Sequence, residues 1–336
     1  MLKFLLNFIL IAAAAWAGYW FVGARGSRAG FEAWFEQQRG RGWTAEYSNF
    51  ALRGFPNRFD AGFSDLSLAD PRWGIAWKAP FFQILALSYQ PNHLIAVWPD
   101  RQVLTTPNDS YQITSEDIRA SLKLEASTLV GLKKAVVTAV GLVVTPTRQQ
   151  IEPTLAEHIN LAAEHIAGTP ANYRLGLDVL GLAPAAALVA RIDPERTLPK
   201  MVSEISADLS VRFDRPWNRK VNENALPQPQ HIAIARIEVK WGRLHLQISG
   251  ELEIDPAGIA TGEIRIKARH WRDIMALAIS TGAMTEAAAG LVEEALGRMA
   301  QAADDPEAVE IPLRFDQGFI YIGPVSLGRA PVLRLR

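Results

Sequence analysis

The sequence predicts an α+β fold: mainly antiparallel β-sheet with flanking amphipathic helices and one N-terminal transmembrane helix. Three observations carry this. An apolar run opens the chain, short segments of period-two alternation recur between proline and glycine breaks, and apolar residues return at helical spacing in several places. Of 336 residues, 49% are hydrophobic, enough to fill a sizeable core, which excludes a disordered chain. The 35 basic side chains are offset by 35 acidic ones, so no net charge pulls on phosphates and no nucleic acid is expected as a partner. Cysteine is absent, which excludes disulfides, thiol catalysis and thiolate metal sites.

The first element is the apolar run Phe4 to Val22, with Asn7 as its one strongly polar member and Lys3 ahead of it. At about 1.5 Å per residue it approaches the roughly 30 Å of a bilayer core. Trp16, Tyr19 and Trp20 lie near its far end, where aromatic rings favour the headgroup layer. Ala15-Trp16-Ala17 has the small-x-small form of a signal-peptidase site, yet Tyr19 to Val22 carry the apolar run past it, as an uncleaved anchor does. A very short tail before a long domain has the form of a signal-anchor, with the bulk of the chain exported. The expectation is an inner-membrane, single-pass protein, its N-terminal helix in contact with membrane lipid and its bulk in the periplasm.

Four parts follow from this: 1–24 as anchor, 25–216 as a β-rich part with helices, 217–230 as a polar linker or long loop, and 231–336 as a β-meander with helices and a closing hairpin. Phe31, Trp34 and Phe35 predict a short amphipathic helix ending near Gly40. Phe59, Ala61 and Phe63 alternate, and Leu66 and Leu68 continue in the opposite parity, the signature of a bulge. Further strands are expected around Trp73–Lys78, Phe81–Ser88, Leu94–Trp98, Ile118–Ala126 and Lys134–Thr145. Leu155, Ile159, Ala162 and Ile166 have helical spacing and predict a helix closed by Gly168 and Pro170.

The C-terminal part can be read in register. A two-residue turn at Trp241-Gly242 sets Val239 opposite Leu244 and Ile237 opposite Leu246, with Glu238 opposite His245 on the charged face. A three-residue turn at Pro256-Ala257-Gly258 sets Ile248 opposite Ile266 and Gly250 opposite Ile264. The apolar face of this meander needs a cover. Two alanine- and glycine-rich stripes supply one: Trp271, Ile274, Met275 and Ala278, then Ala288, Leu291, Val292, Ala295 and Met299. Thin covers of this kind could lie very close to the sheet or leave room for an apolar guest; for a guest, Ile248, Ile264, Ile266, Leu291 and Val292 are the expected lining. The chain closes with a hairpin at Gln317-Gly318, setting Phe315 opposite Ile320, and a last strand from Val325 to Leu335.

Several segments resemble an uncharacterised group of bacterial envelope proteins, the domain-of-unknown-function 2125 family. They are Gly18-Tyr19-Trp20-Phe21, Gly54-Phe55-Pro56-Asn57-Arg58-Phe59-Asp60, Ala79-Pro80 through Tyr89-Gln90-Pro91-Asn92-His93, Asp255-Pro256-Ala257-Gly258, and Leu313 to Pro331. The resemblance covers most of the chain outside 147–229. It implies an exported protein anchored in the inner membrane, and brings no activity, cofactor or catalytic residue with it.

Chemical motifs are sparse. The sequence has no phosphate-binding glycine loop, dinucleotide fingerprint, nucleophile elbow or HExxH, so no enzyme, cofactor or metal is expected. His158 and His165, seven apart, read as a solvated helix face, and His93 as a side chain bonding local backbone. Arg53 and Arg58, flanking Gly54-Phe55-Pro56, could contact an anionic headgroup or a partner's carboxylate, or pair internally with neighbours such as Asp60. The function expected is binding of lipid or another apolar envelope molecule in a sheet-lined groove. The alternative is a non-catalytic envelope scaffold that docks on a partner protein.

Overall fold

The computed structural model describes residues 1–147, 152–193, 198–221, 226–280, 289–290, 292–294, 296–297 and 308–335. The chain forms two compact units: Met1–Leu124 with Val144–Gln150, and Glu125–Val143 with Ile151–Arg336. Each is antiparallel sheet with helix packed on it, the predicted class.

Unit 1 opens with helix α1 (Leu2–Gly40), long and apolar enough to cross a membrane. The separate short helix expected around Phe31 is instead continuous with the apolar run. Gly23, Gly26 and Gly30 weaken this stretch by about 1 kcal/mol each relative to alanine, but it contains no proline, so nothing breaks the hydrogen-bond ladder. Eight strands follow: β1 (Thr44–Glu46), β2 (Asn49–Arg53), β3 (Arg58–Asp70), β4 (Ile75–Leu87), β5 (Gln90–Val97), β6 (Arg101–Thr105), β7 (Ser110–Thr114) and β8 (Asp117–Leu124). One edge of β3 pairs with β1 and β2, the other with β4. In turn β4 carries β5 and β6, which pair with β8 and β7.

The two strands expected at Trp73–Lys78 and Phe81–Ser88 are thus one. The parity change along β3 is real: Phe59, Ala61 and Phe63 are buried, then Leu66, with Asp65 between them at φ +50°. The register with β4 nonetheless resumes without a shift on either side of Asp65, from Phe63↔Phe82 to Leu68↔Trp77. The partner strand changes parity at the same level, from Trp77 and Ala79 to Phe82 and Ile84, where Pro80 has no N–H to give the ladder. Both strands turn over together, so no bulge separates them. Phe31 and Phe35 of α1 pack on this sheet against Ala45, Ala61, Phe63 and Leu66.

Unit 2 is a meander. Strand β9 (Leu132–Pro146), whose residues to Val143 belong here, pairs with β10 (Thr154–His165). Successive antiparallel pairs then join β10, β11 (Asn172–Leu182), β12 (Val202–Phe213), β13 (Pro229–Trp241), β14 (Leu244–Ile254), β15 (Ala260–Arg269), β16 (Ala308–Asp316), β17 (Phe319–Ile322) and β18 (Val325–Arg329). Helices α2 (Ala186–Ile192) and α3 (Trp271–Ser280) interrupt it.

Several expectations need correction here. The stripe from Leu155 to Ile166 is strand β10, paired without interruption to β11 from His158↔Leu180 to His165↔Tyr173. Its Ala, Leu and Glu content favours helix, but pairing with a neighbouring strand overrides so weak a preference. The turn after β13 is Gly242-Arg243, with Trp241 opposite Leu244. Trp241 is buried and its Nε1 donates to the Pro199 carbonyl at 2.7 Å, while Gly242 leads the turn at φ +59°. The resulting slip is two residues, so every side chain keeps its predicted face. The final strand stops at Arg329 rather than Leu335. The other two hairpins fall where expected, with Ile248↔Ile266, Gly250↔Ile264 and Phe315↔Ile320. Trp217, at the start of the polar 217–230 stretch, packs on Tyr173, Val211 and Phe213.

Candidate functional site

A largely apolar cavity lies in unit 1, beneath α1. Ser27, Gly30, Phe31, Trp34 and Phe35 recur at the spacing that places them on one helix face. Opposite them stand Phe63, Leu66 and Leu68 of β3, and Trp77, Phe82 and Ile84 of β4. Between the two walls is a cavity of about 540 Å³. Its size follows from the helix side: Phe35 is seated against Ala45 and Ala61, whereas Gly30 presents no side chain, and a Cβ placed there meets nothing within 4 Å. The walls are held by ring contacts, Phe35 with Phe63 at 5.3 Å and Trp77 edge-on to Phe82 at 5.5 Å. Trp77 Nε1 donates to Gln102 Oε1 at 2.7 Å, which satisfies the indole. No lining side chain is titratable.

A second recess, about 480 Å³, flanks the same helix nearer its apolar end and is lined by Trp20, Phe21, Val22, Ala24, Arg25, Arg28 and Leu52. The Arg28 guanidinium lies 4.9 Å over the Phe50 ring and 3.7 Å from Glu32.

The end of the apolar run is fastened to the sheet. Trp16 Nε1 donates to Asn57 Oδ1 at 3.3 Å, the Tyr19 hydroxyl to the Ser88 carbonyl at 2.6 Å, and Trp20 Nε1 to the Arg58 carbonyl at 2.7 Å. The receiving turn is compact. Asn57 and Arg58 both donate backbone N–H to the Gly54 carbonyl, and Gly54, at φ +101°, sits so close to Arg58 that a Cβ would fall 2.6 Å from Arg58 Cβ.

Arg53 and Arg58, singled out in the sequence, lie on the other face of this sheet. With Asn49, Asp60, Ser64 and Gln83 they line a polar groove of about 340 Å³. Arg53 is opposite Asp60 in register, and Arg58 Nε lies 3.0 Å from the Asp60 carboxylate.

A family model described as an uncharacterized protein conserved in bacteria, DUF2125, matches residues 20–331. The chain belongs to the DUF2125 family. No curated protein and no solved structure matches it. The matched span takes in the helix segment of the DUF2125 cavity and all of its sheet wall.

The lining expected in the C-terminal part of this DUF2125 protein separates into different environments. Ile248, Ile264 and Ile266 do share one face on adjacent strands. Val292, however, is 1% exposed, shut into a core with Trp271, Met275, Leu296 and Val309. Ile266 packs on that core and Ile264 on a second one around Leu252 and Phe315, leaving Ile248 half-buried between them. Leu291 lies outside the described residues, as do Ala288, Ala295 and Met299 of the same stripe. The apolar row continues in register through Ile237, Ala207 and Leu177 to Leu161, which is 45% exposed.

On the opposite face Glu238 is buried beside His245 Nε2, at 2.6 Å, with Gln247 at 3.3 Å and Lys240 at 3.5 Å. The hydrogen bond from His245, then that from Gln247, holds its carboxyl below the ordinary glutamate range, against the opposing effect of burial. The expected Glu238–His245 pair is therefore present, but as a diagonal contact. His93 bonds Ser121 Oγ across the sheet at 2.9 Å rather than local backbone, and His165 Nε2 contacts the Thr169 carbonyl at 2.7 Å. Sequence reasoning missed the cavity beneath α1. The signal available was the spacing of Ser27, Gly30, Phe31, Trp34 and Phe35, small residues alternating with large ones along one face.

Proposed function

We propose that this protein is exported, held in the inner membrane by α1, and binds lipid or another apolar envelope molecule in the cavity beneath that helix. The cavity carries the proposal. At about 540 Å³ it falls within the roughly 300–1,000 Å³ of small-molecule sites, and its walls are almost wholly hydrocarbon and aromatic. It lies on the helix that also supplies the apolar run, which brings the cavity close to the bilayer that would supply its guest. With no titratable group among its lining residues, the site offers a guest burial rather than reaction, which favours a binding role over an enzyme.

Full-length protein extracted in mild detergent and examined by native mass spectrometry tests this, beside a Gly30→Leu variant. Bound lipid mass is expected on the wild type and not on the folded variant. A wild type that is always bare, or a variant that keeps the same mass, overturns the cavity assignment. The half-exposed row from Ile248 to Leu161 supports the other reading, docking on a partner protein, and would then be the surface to mutate. A compartment-sensitive reporter fused after Arg336 tests export: a periplasmic signal is expected, and a cytoplasmic one overturns it.

A further inference from the structure

We infer that unit 1 is seated in the membrane surface, with two hairpin tips immersed in the headgroup layer beside α1. The inference rests on α1 crossing the bilayer and is independent of any ligand in the cavity.

The first argument is length. The apolar run ends at Val22, ahead of Arg25 and Arg28, and Trp16 lies six residues, about 9 Å of helix, inside that end. Yet the sheet already grips the helix at Trp16, Tyr19 and Trp20. The gripping groups are the β2–β3 tip, Gly54–Asn57, and the β4–β5 tip, Ser88–Tyr89, which are stitched together by the Ser88 N–H donating to the Asn57 carbonyl at 2.8 Å. If the apolar run is in the bilayer, these tips stand within about 9 Å of its outer end, the depth of the interfacial layer.

The second argument is composition. Phe55 is 55% exposed and Tyr89 59% exposed, beside an equally exposed Phe21 whose ring lies 5.7 Å from that of Phe55. Aromatic side chains of this kind favour the headgroup layer. The backbone groups that a tight turn leaves over are used internally, by Trp20 and by the Gly54 carbonyl, which lowers the cost of immersion. Arg53 and Arg58 flank the tip and Arg25 follows the span, at a height where they meet lipid phosphates.

The absence of native cysteine makes the test direct. Full-length Phe55→Cys, Tyr89→Cys, Leu10→Cys and Trp73→Cys variants, labelled with an environment-sensitive dye, are reconstituted in phosphatidylcholine–phosphatidylglycerol vesicles carrying shallow or deep nitroxide lipids. Trp73, exposed in the turn at the opposite end of β3, is about 40 Å from the tip at the usual strand rise and serves as the remote control. At least twofold quenching is expected at positions 55 and 89, stronger with the shallow nitroxide, and at position 10, stronger with the deep one. Position 73 should be unaffected. Quenching at 10 with none at 55 and 89 overturns the seating while leaving the span intact. No quenching at 10 overturns the span and the seating with it.

Discussion

Units 1 and 2 both lay a helix across antiparallel strands, and they differ in what fills the space between. In unit 2, Trp271 and Met275 of α3, with Val292 and Leu296, close on Ala268 and Val309, and all six are buried. Large helix residues there meet small sheet residues. In unit 1 the pairing is half inverted. Phe35 finds Ala45 and Ala61, but Gly30 and Ser27 face a wall of Phe63, Leu66, Trp77 and Phe82, and a cavity remains. The same layering gives a solid core or a container according to which side carries the bulk.

Mutations can break or sharpen this contrast. The largest effect is expected from Trp271→Ala, which empties the closed core and should cost about 3–5 kcal/mol. Thermal or denaturant unfolding measures it; a loss under about 1 kcal/mol means that unit 2 is not closed. Trp34→Ala, the helix tryptophan over the cavity, is 40% exposed and should cost about 1 kcal/mol or less, since a partly solvated ring gives up less burial. Gly30→Leu runs the other way. It removes a helix glycine, a gain of about 0.8 kcal/mol in propensity, and fills open space without strain. A rise in melting temperature of about 2–4 °C is expected, and a destabilised Gly30→Leu would mean that the space is not free.

The smallest effect concerns Glu238. Its folded pKa lies below the value in the unfolded chain, so its contribution is complete above the unfolded glutamate value of about 4.3 and is lost as pH falls through the folded value. Urea titrations between pH 7 and 3 should show an acid loss that Glu238→Gln reduces. An identical profile in the variant would remove Glu238 from the account.

Legibility in the sequence followed the range of the cause. The Asp255–Ile259 turn was readable to the residue because its chemistry is local: Asp255 Oδ1 accepts the Ala257 and Ile259 N–H groups, and Gly258 takes φ +85°. The Trp241 turn slipped because the deciding bond goes to Pro199, far along the chain. Strand β10 carries helix-favouring residues and is made a strand by its partners. The alternation of Ile205, Ala207, Leu209, Val211 and Phe213 in β12 was accessible to the same local argument as the other strands. The C-terminal apolar face was legible as a face, but not that Val292 would vanish into its core. The cavity depends on which sheet meets the Ser27–Phe35 stripe, and no local pattern contains that pairing.

The unbroken course of α1 has a mechanical consequence. A domain on a floppy tether wanders independently of its anchor, but here three side chains clamp the sheet to the apolar run itself, and Phe31 and Phe35 bind it again further along. The unit must lean when the helix leans. A tilt of about 20°, ordinary for a helix adjusting to bilayer thickness, swings the far end of a 40 Å strand by roughly 14 Å. With α1 across a bilayer, as proposed, unit 1 is a lever whose angle is set by the thickness of that membrane.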